Sequence, residues 1–215
     1  MGDGSRSLSY RDLVAMQCRN NPCLVGLSKY LSSKTLLSRS TIFSIIYPRD
    51  GGYAAKPVGQ LNLEDINGPQ DIDPTIAGHI LLVQDIEPDV IDALGCAFDI
   101  DPLFFASHIS TDFGGIEKAP PPPSLAFPPS LLAERGYVNI HYQRVLDLGD
   151  VNLYKTSAYT LKTPSNIPRN VRRLPPIGGC QLGLARGCCS ILVKNLGSTW
   201  ICTYFLSTKE ILSIA

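Results

Sequence analysis

Four acids crowd one short stretch: Asp85, Glu87, Asp89 and Asp92. Hard carboxylate oxygens grouped in this way suit Mg²⁺ or Ca²⁺, so these four are the candidate metal ligands. The same acids at the start of a helix also satisfy its exposed N–H groups and complement its dipole, a purely structural use. A second grouping is Asp99, Asp101 and His108. A histidine with two acids can bind a divalent ion. The structural alternative is that the acids cap the next helix and the histidine sits in its last turn. His141 with Cys188 and Cys189 can be imagined as a thiol–imidazole pair, but no spacing supports it, and thiols within a strand are expected to be buried. The chain has no Gly-x-Ser-x-Gly elbow, no phosphate-cradling glycine loop and no His-Glu-x-x-His. No catalytic constellation is therefore expected, and no cofactor other than Mg²⁺.

The elements that must position these residues are legible in part. His79 to Val83 is an apolar run of strand length. Pro88 and Asp89 open a helix, and Val90, Ile91, Leu94 and Phe98 form its apolar stripe. Asp101-Pro102 opens a second, carrying Leu103, Phe104, Phe105 and Ile109. Ile42 to Tyr47 reads as a strand and Val58 to Ile66 as a strand or sheet edge. Tyr137 to Leu148 alternates, and Val151 to Leu161 is expected to return as its hairpin partner. Gln181 to Val193 and Thr199 to Leu206 are two further apolar strands with a turn between them. The fold expected is α/β or α+β: a mixed, largely antiparallel sheet of about five to seven strands with helices packed on it. Residues 1–9 are expected to be mobile, 10–206 to form one domain, and 207–215 to be an atypical tail. Within the domain, 110–130 is a proline-rich connector. Its Pro120 to Pro123 run favours an extended polyproline conformation, a stiff spacer or a docking site for a proline-recognition module.

Composition narrows the function. The 215 residues are enough for one substantial core. Hydrophobic residues make up 44% and charged ones 18%, which argues against wholesale disorder. The 19 basic and 19 acidic residues balance, so no net field favours nucleic acid or an anionic membrane. No run of about 20 apolar residues occurs, so no membrane span is expected, nor is a secretory leader. The seven cysteines, an odd number, read as reduced thiols of a cytoplasmic protein.

The segment Leu94-Gly95, Phe98-Asp99-Ile100-Asp101-Pro102-Leu103, followed by the strand Val138 to Leu146, resembles the cytosolic N-terminal domain of CorA-like divalent-metal transporters, above all their fungal branch. Arg172 to Val193 with Ser198 to Ile201 extends the likeness across roughly residues 75–205. The resemblance implies a non-catalytic regulatory or interaction domain, Mg²⁺ sensed through carboxylates between subunits, a homo-oligomer, and full-length relatives in a membrane. The family's Gly-Met-Asn pore signature does not occur, since methionine is present only at Met1 and Met16. A product truncated before the membrane spans is therefore expected. Two other functions fit the same sequence: a small enzyme or accessory protein of fungal specialised metabolism, and a docking adaptor acting through Pro120 to Pro123. A cavity of a few hundred Å³ with convergent polar groups would favour the enzyme.

Overall fold

A computed structural model describes residues 9–33, 38–51, 59–66, 73, 75–110, 136–154 and 158–206. Two helices come first, α1 (Tyr10–Cys18) and α2 (Val25–Leu31), joined through a 3₁₀ turn at Pro22–Leu24. Strands β1 (Thr41–Pro48), β2 (Gly59–Leu61) and β3 (Ile76–Gln84) follow, then helices α3 (Pro88–Phe98) and α4 (Pro102–Ile109). The last described elements are β4 (Tyr137–Asp150), β5 (Thr160–Lys162), β6 (Asn170–Arg173), β7 (Cys180–Leu196) and β8 (Thr199–Leu206). The eight strands form one sheet in the order β2-β1-β3-β8-β7-β6-β5, with β4 also paired to β7. Among the described residues only β3 and β8 run parallel; every other pair is antiparallel. This is the α+β architecture that the sequence implied, with one strand more than the upper count expected.

Local chemistry sets the element ends. Ser9 and Asp12 form a capping box at the start of α1. Pro88 occupies the first turn of α3, and Asp99 closes it in a left-handed conformation, φ 46°. Asp101 caps α4 by accepting from the Leu103 N–H at 2.9 Å. Asp99 therefore ends one helix and only Asp101 starts the next, where the sequence had suggested that both acids cap the second helix.

The predicted stripe of α3 is the core: Val90, Ile91, Leu94 and Phe98 are all buried. Phe104 and Phe105 of α4 pack on Phe205 of β8, with ring centroids 5.3 and 5.7 Å away. Helix α1 lies so close to α3 that a Cβ on Gly95 would sit 2.5 Å from the Tyr10 ring. The Tyr10 hydroxyl passes on to donate to the Ile100 carbonyl at 2.7 Å.

Two expected strands change. Val151 to Leu161 does not return as a partner of β4. Asp150 accepts from the Asn152 N–H at 2.8 Å, which turns Val151–Tyr154 into a 3₁₀ segment. Tyr154 then buries its ring and donates to the Leu148 carbonyl at 2.9 Å. Strand β4 pairs instead with β7, from Tyr137 opposite Leu192 to Asp150 opposite Cys180. Of the expected strand Val58 to Ile66, Val58 lies outside the described residues; among the rest Gly59–Leu61 is the strand, because Asn62 and Asp65 cap a 3₁₀ turn over Leu63–Asp65. The connector beyond Ser110, the first eight residues and the tail from 207 lie outside the described residues, and with them Pro120 to Pro123.

Candidate functional site

The four acids divide into two pairs with different partners. Asp85 ends β3 with φ 51°, a conformation that favours glycine. Its carboxyl accepts from the Asn166 N–H at 2.8 Å and from the Ser38 hydroxyl. Its carbonyl accepts from the Ser40 hydroxyl and the Asn166 amide, each at 3.0 Å. Glu87 is the buried N-cap residue of α3; it accepts from the Ser40 N–H at 3.3 Å, with Arg39 3.9 Å away. Asp89 and Asp92 face α1 instead. Asp89 pairs with the Arg11 guanidinium, and Asp92 accepts from the Arg11 N–H at 3.0 Å. Every one of the four is thus held by protein donors. Among the described residues, no three His, Cys, Asp or Glu side chains are placed to hold a metal ion. Asp99, Asp101 and His108 also separate: Asp99 lies 3.4 Å from Lys194, Asp101 caps α4, and His108 points into the core.

What the first acid pair does is anchor a loop. Residues 163–169 carry no strand, yet Ser165, Asn166, Ile167 and Arg169 are buried. The loop closes on itself: the Thr163 N–H donates to the Arg169 carbonyl, and the Arg169 N–H to the Thr163 hydroxyl, both at 2.9 Å. Asp85 holds Asn166 from one side. On the other, the Arg169 guanidinium donates to the carbonyls of His108 and Ser110, each at 2.6 Å. Those carbonyls end α4, where the last carbonyls of a helix lack intrahelical donors. The loop, α2 and α4 enclose an open groove of about 600 Å³. Pro22, Ala106, Ile109, Ile167 and Pro168 give it apolar walls, and Lys162, Cys23 and Tyr30 line it with polar groups. Among the described residues that line it there is no acid and one charged side chain, Lys162, which favours an anionic or carbonyl-bearing ligand. The Tyr30 hydroxyl is committed to the Ile86 carbonyl at 2.7 Å, and burial raises its pKa.

Each histidine has a distinct setting. His108 places Nδ1 2.8 Å from the Ser190 hydroxyl, which in turn donates to Asn139. Burial, with Arg169 and His141 nearby, pulls its pKa down to about 3, so the ring is neutral at pH 7. His141 stands directly opposite Cys188 across β4 and β7, so pairing does bring that imagined couple together. The thiol is fully buried, and burial pushes its pKa up, which is the wrong direction for a nucleophile. Cys189, also buried, follows it in the same strand, so the two side chains point to opposite faces of the sheet.

His79 is the histidine that sequence reasoning missed. Its Nε2 lies 2.6 Å from the Ser44 hydroxyl, on the boundary of a cavity of about 240 Å³ between β1, β3 and the Leu63–Asp65 turn. Leu61, Ile66 and Phe98 supply apolar walls, and Asp65 and Asp73 also line it. Ser44 and His79 are diagonal neighbours, because Ser44 pairs with Leu81 and Ile46 with His79. The alternation of Ile42, Ser44 and Ile46 against His79, Leu81 and Val83 was the available signal; only the strand pairing converts it into a contact. Compared with known protein families, curated proteins and solved structures, the chain matches none.

Proposed function

We propose that this chain is a non-catalytic regulatory or interaction domain of the kind that stands on the cytoplasmic side of CorA-like metal transporters. One observation carries the reading. The separate segments that share the family's texture, 79–109, 138–146, 172–193 and 198–201, assemble into one contiguous unit. Strand β3 pairs with β8, β8 with β7 and β7 with β4, while α4 packs on β4 and β7.

Binding is the chemistry such a domain would perform, and the groove beside α4 is the preformed surface for it. No helix among the described residues is long and apolar enough to cross a membrane. The direct test is the mature transcript beyond codon 215. In-frame coding for two apolar spans with a Gly-Met-Asn signature supports the reading. A stop codon at that point in every transcript, with no separate gene for such a half nearby, contradicts it.

A further inference from the structure

We propose that Ser44 and His79 form a nucleophile–base pair for acyl transfer, acting on small esters of apolar acids held in the cavity between β1 and β3. The proposal stands apart from the groove and departs from the non-catalytic reading above, since it gives the domain an activity of its own. Its first support is geometric: the Ser44 hydroxyl lies 2.6 Å from His79 Nε2, within the range in which an imidazole takes a proton from an attacking hydroxyl. The second is rigidity, since both side chains stand on hydrogen-bonded neighbouring strands rather than on loops. The third is space. The cavity of about 240 Å³ holds an acyl group of a few carbons, and Leu61, Ile66 and Phe98 offer it apolar contact. Burial also lowers the His79 pKa, which keeps the ring in its proton-accepting form at neutral pH.

The molecule contains a built-in contrast. Ser190 and His108 are also paired, at 2.8 Å. Both are fully enclosed, and Ser190 already donates to Asn139. That pair is a core hydrogen-bond chain. Ser44, though 8% exposed, instead lines the cavity, with its hydroxyl against the imidazole.

The reaction needs no reagent beyond water. Ser44 Oγ attacks the ester carbonyl carbon as its proton moves to His79 Nε2. The carbon–oxygen bond of the ester breaks, and the departing alkoxide takes that proton to leave as an alcohol. Water then attacks the acyl-serine, giving one proton to Nε2 as the acyl–Oγ bond breaks. Oγ recovers the proton, and a carboxylic acid is released.

The test treats the full chain with a fluorophosphonate serine probe and maps the adduct by mass spectrometry, alongside p-nitrophenyl butyrate turnover. The expected result is one adduct, on Ser44 and not on Ser190, formed roughly a hundredfold more slowly in His79→Gln. Ser44→Ala loses both adduct and turnover while unfolding at the wild-type temperature. Ser44→Cys gives a second reading: iodoacetamide alkylates residue 44 faster with His79 present than with His79→Gln. Overturning results are no adduct on Ser44, or labelling and alkylation of residue 44 that are indifferent to His79.

Discussion

Replacing Asp85 by alanine should unseat the loop that walls the groove. The buried Asn166 N–H loses its acceptor at 2.8 Å, at a cost of about 1–3 kcal/mol for a donor left unpaired. The Ser38 hydroxyl is only half-buried and can turn to water, so its loss adds about 1 kcal/mol or less. Alanine would also have to adopt φ 51°, worth about 1 kcal/mol more. Together these give about 2–5 kcal/mol, or a fall in Tm of about 4–20 °C for a chain of this size. Urea unfolding of three variants separates the contributions. Asp85→Asn keeps an acceptor and tolerates the left-handed backbone, so it should lose least. Asp85→Gly loses the hydrogen bonds but sheds the strain, so it should exceed Asp85→Ala by about 1 kcal/mol. Asp85→Ala within 1 kcal/mol of wild type, or more stable than Asp85→Gly, would refute this reasoning about the anchor.

Gly95→Ala should cost about 1–3 kcal/mol, because its Cβ would meet the Tyr10 ring at 2.5 Å and push α1 off α3; urea midpoints of the single variant and of Gly95→Ala with Tyr10→Leu check it. Stability should fall with acid through His108. Its folded pKa of about 3 lies below the unfolded value, so between about pH 6.5 and 3 the unfolded chain binds the extra proton. The contribution is complete above pH 6.5 and declines by up to about 1.4 kcal/mol per pH unit below it. His79 and His141, also shifted down by burial, add in the same direction. His108→Gln should flatten the slope of unfolding free energy against pH. Millimolar Mg²⁺ at matched ionic strength should leave Tm unchanged, since Asp85, Glu87, Asp89 and Asp92 are already engaged by Asn166, Ser40 and Arg11; a rise lost in Asp89→Asn with Asp92→Asn would show the acids to be ligands after all.

The elements that could be read from sequence are those whose signals are local. The unit β3–α3–α4 announces itself through a short apolar run, two proline-opened helices and one apolar stripe. The hairpin of β7 and β8 shows two apolar runs and a turn whose Gly197 takes φ 68°. What failed to show depends on distant partners. Strand β4 looked ready to fold back on the residues that follow it. A single Asx turn at Asp150 redirected the chain, and β7 supplied the pairing. The acids at 85–92 looked like one cluster, yet their partners arrive from α1 and from the loop around Asn166, and this splits them. Arg169 gave no hint in sequence that it would end α4, because the helix it serves lies about sixty residues earlier. Ser44 and His79 share a face only once β1 and β3 are aligned, and composition says nothing of that register.

The regulatory reading is tested most directly by co-expressing the chain with a full-length CorA-like transporter from the same organism and measuring Mg²⁺ influx together with co-purification. A domain built to pack against such an assembly should co-purify with it and change the influx, and Asp85→Ala, with its groove wall loosened, should do both less well. Unchanged influx with no co-purification, from a chain shown to be folded, would contradict the account.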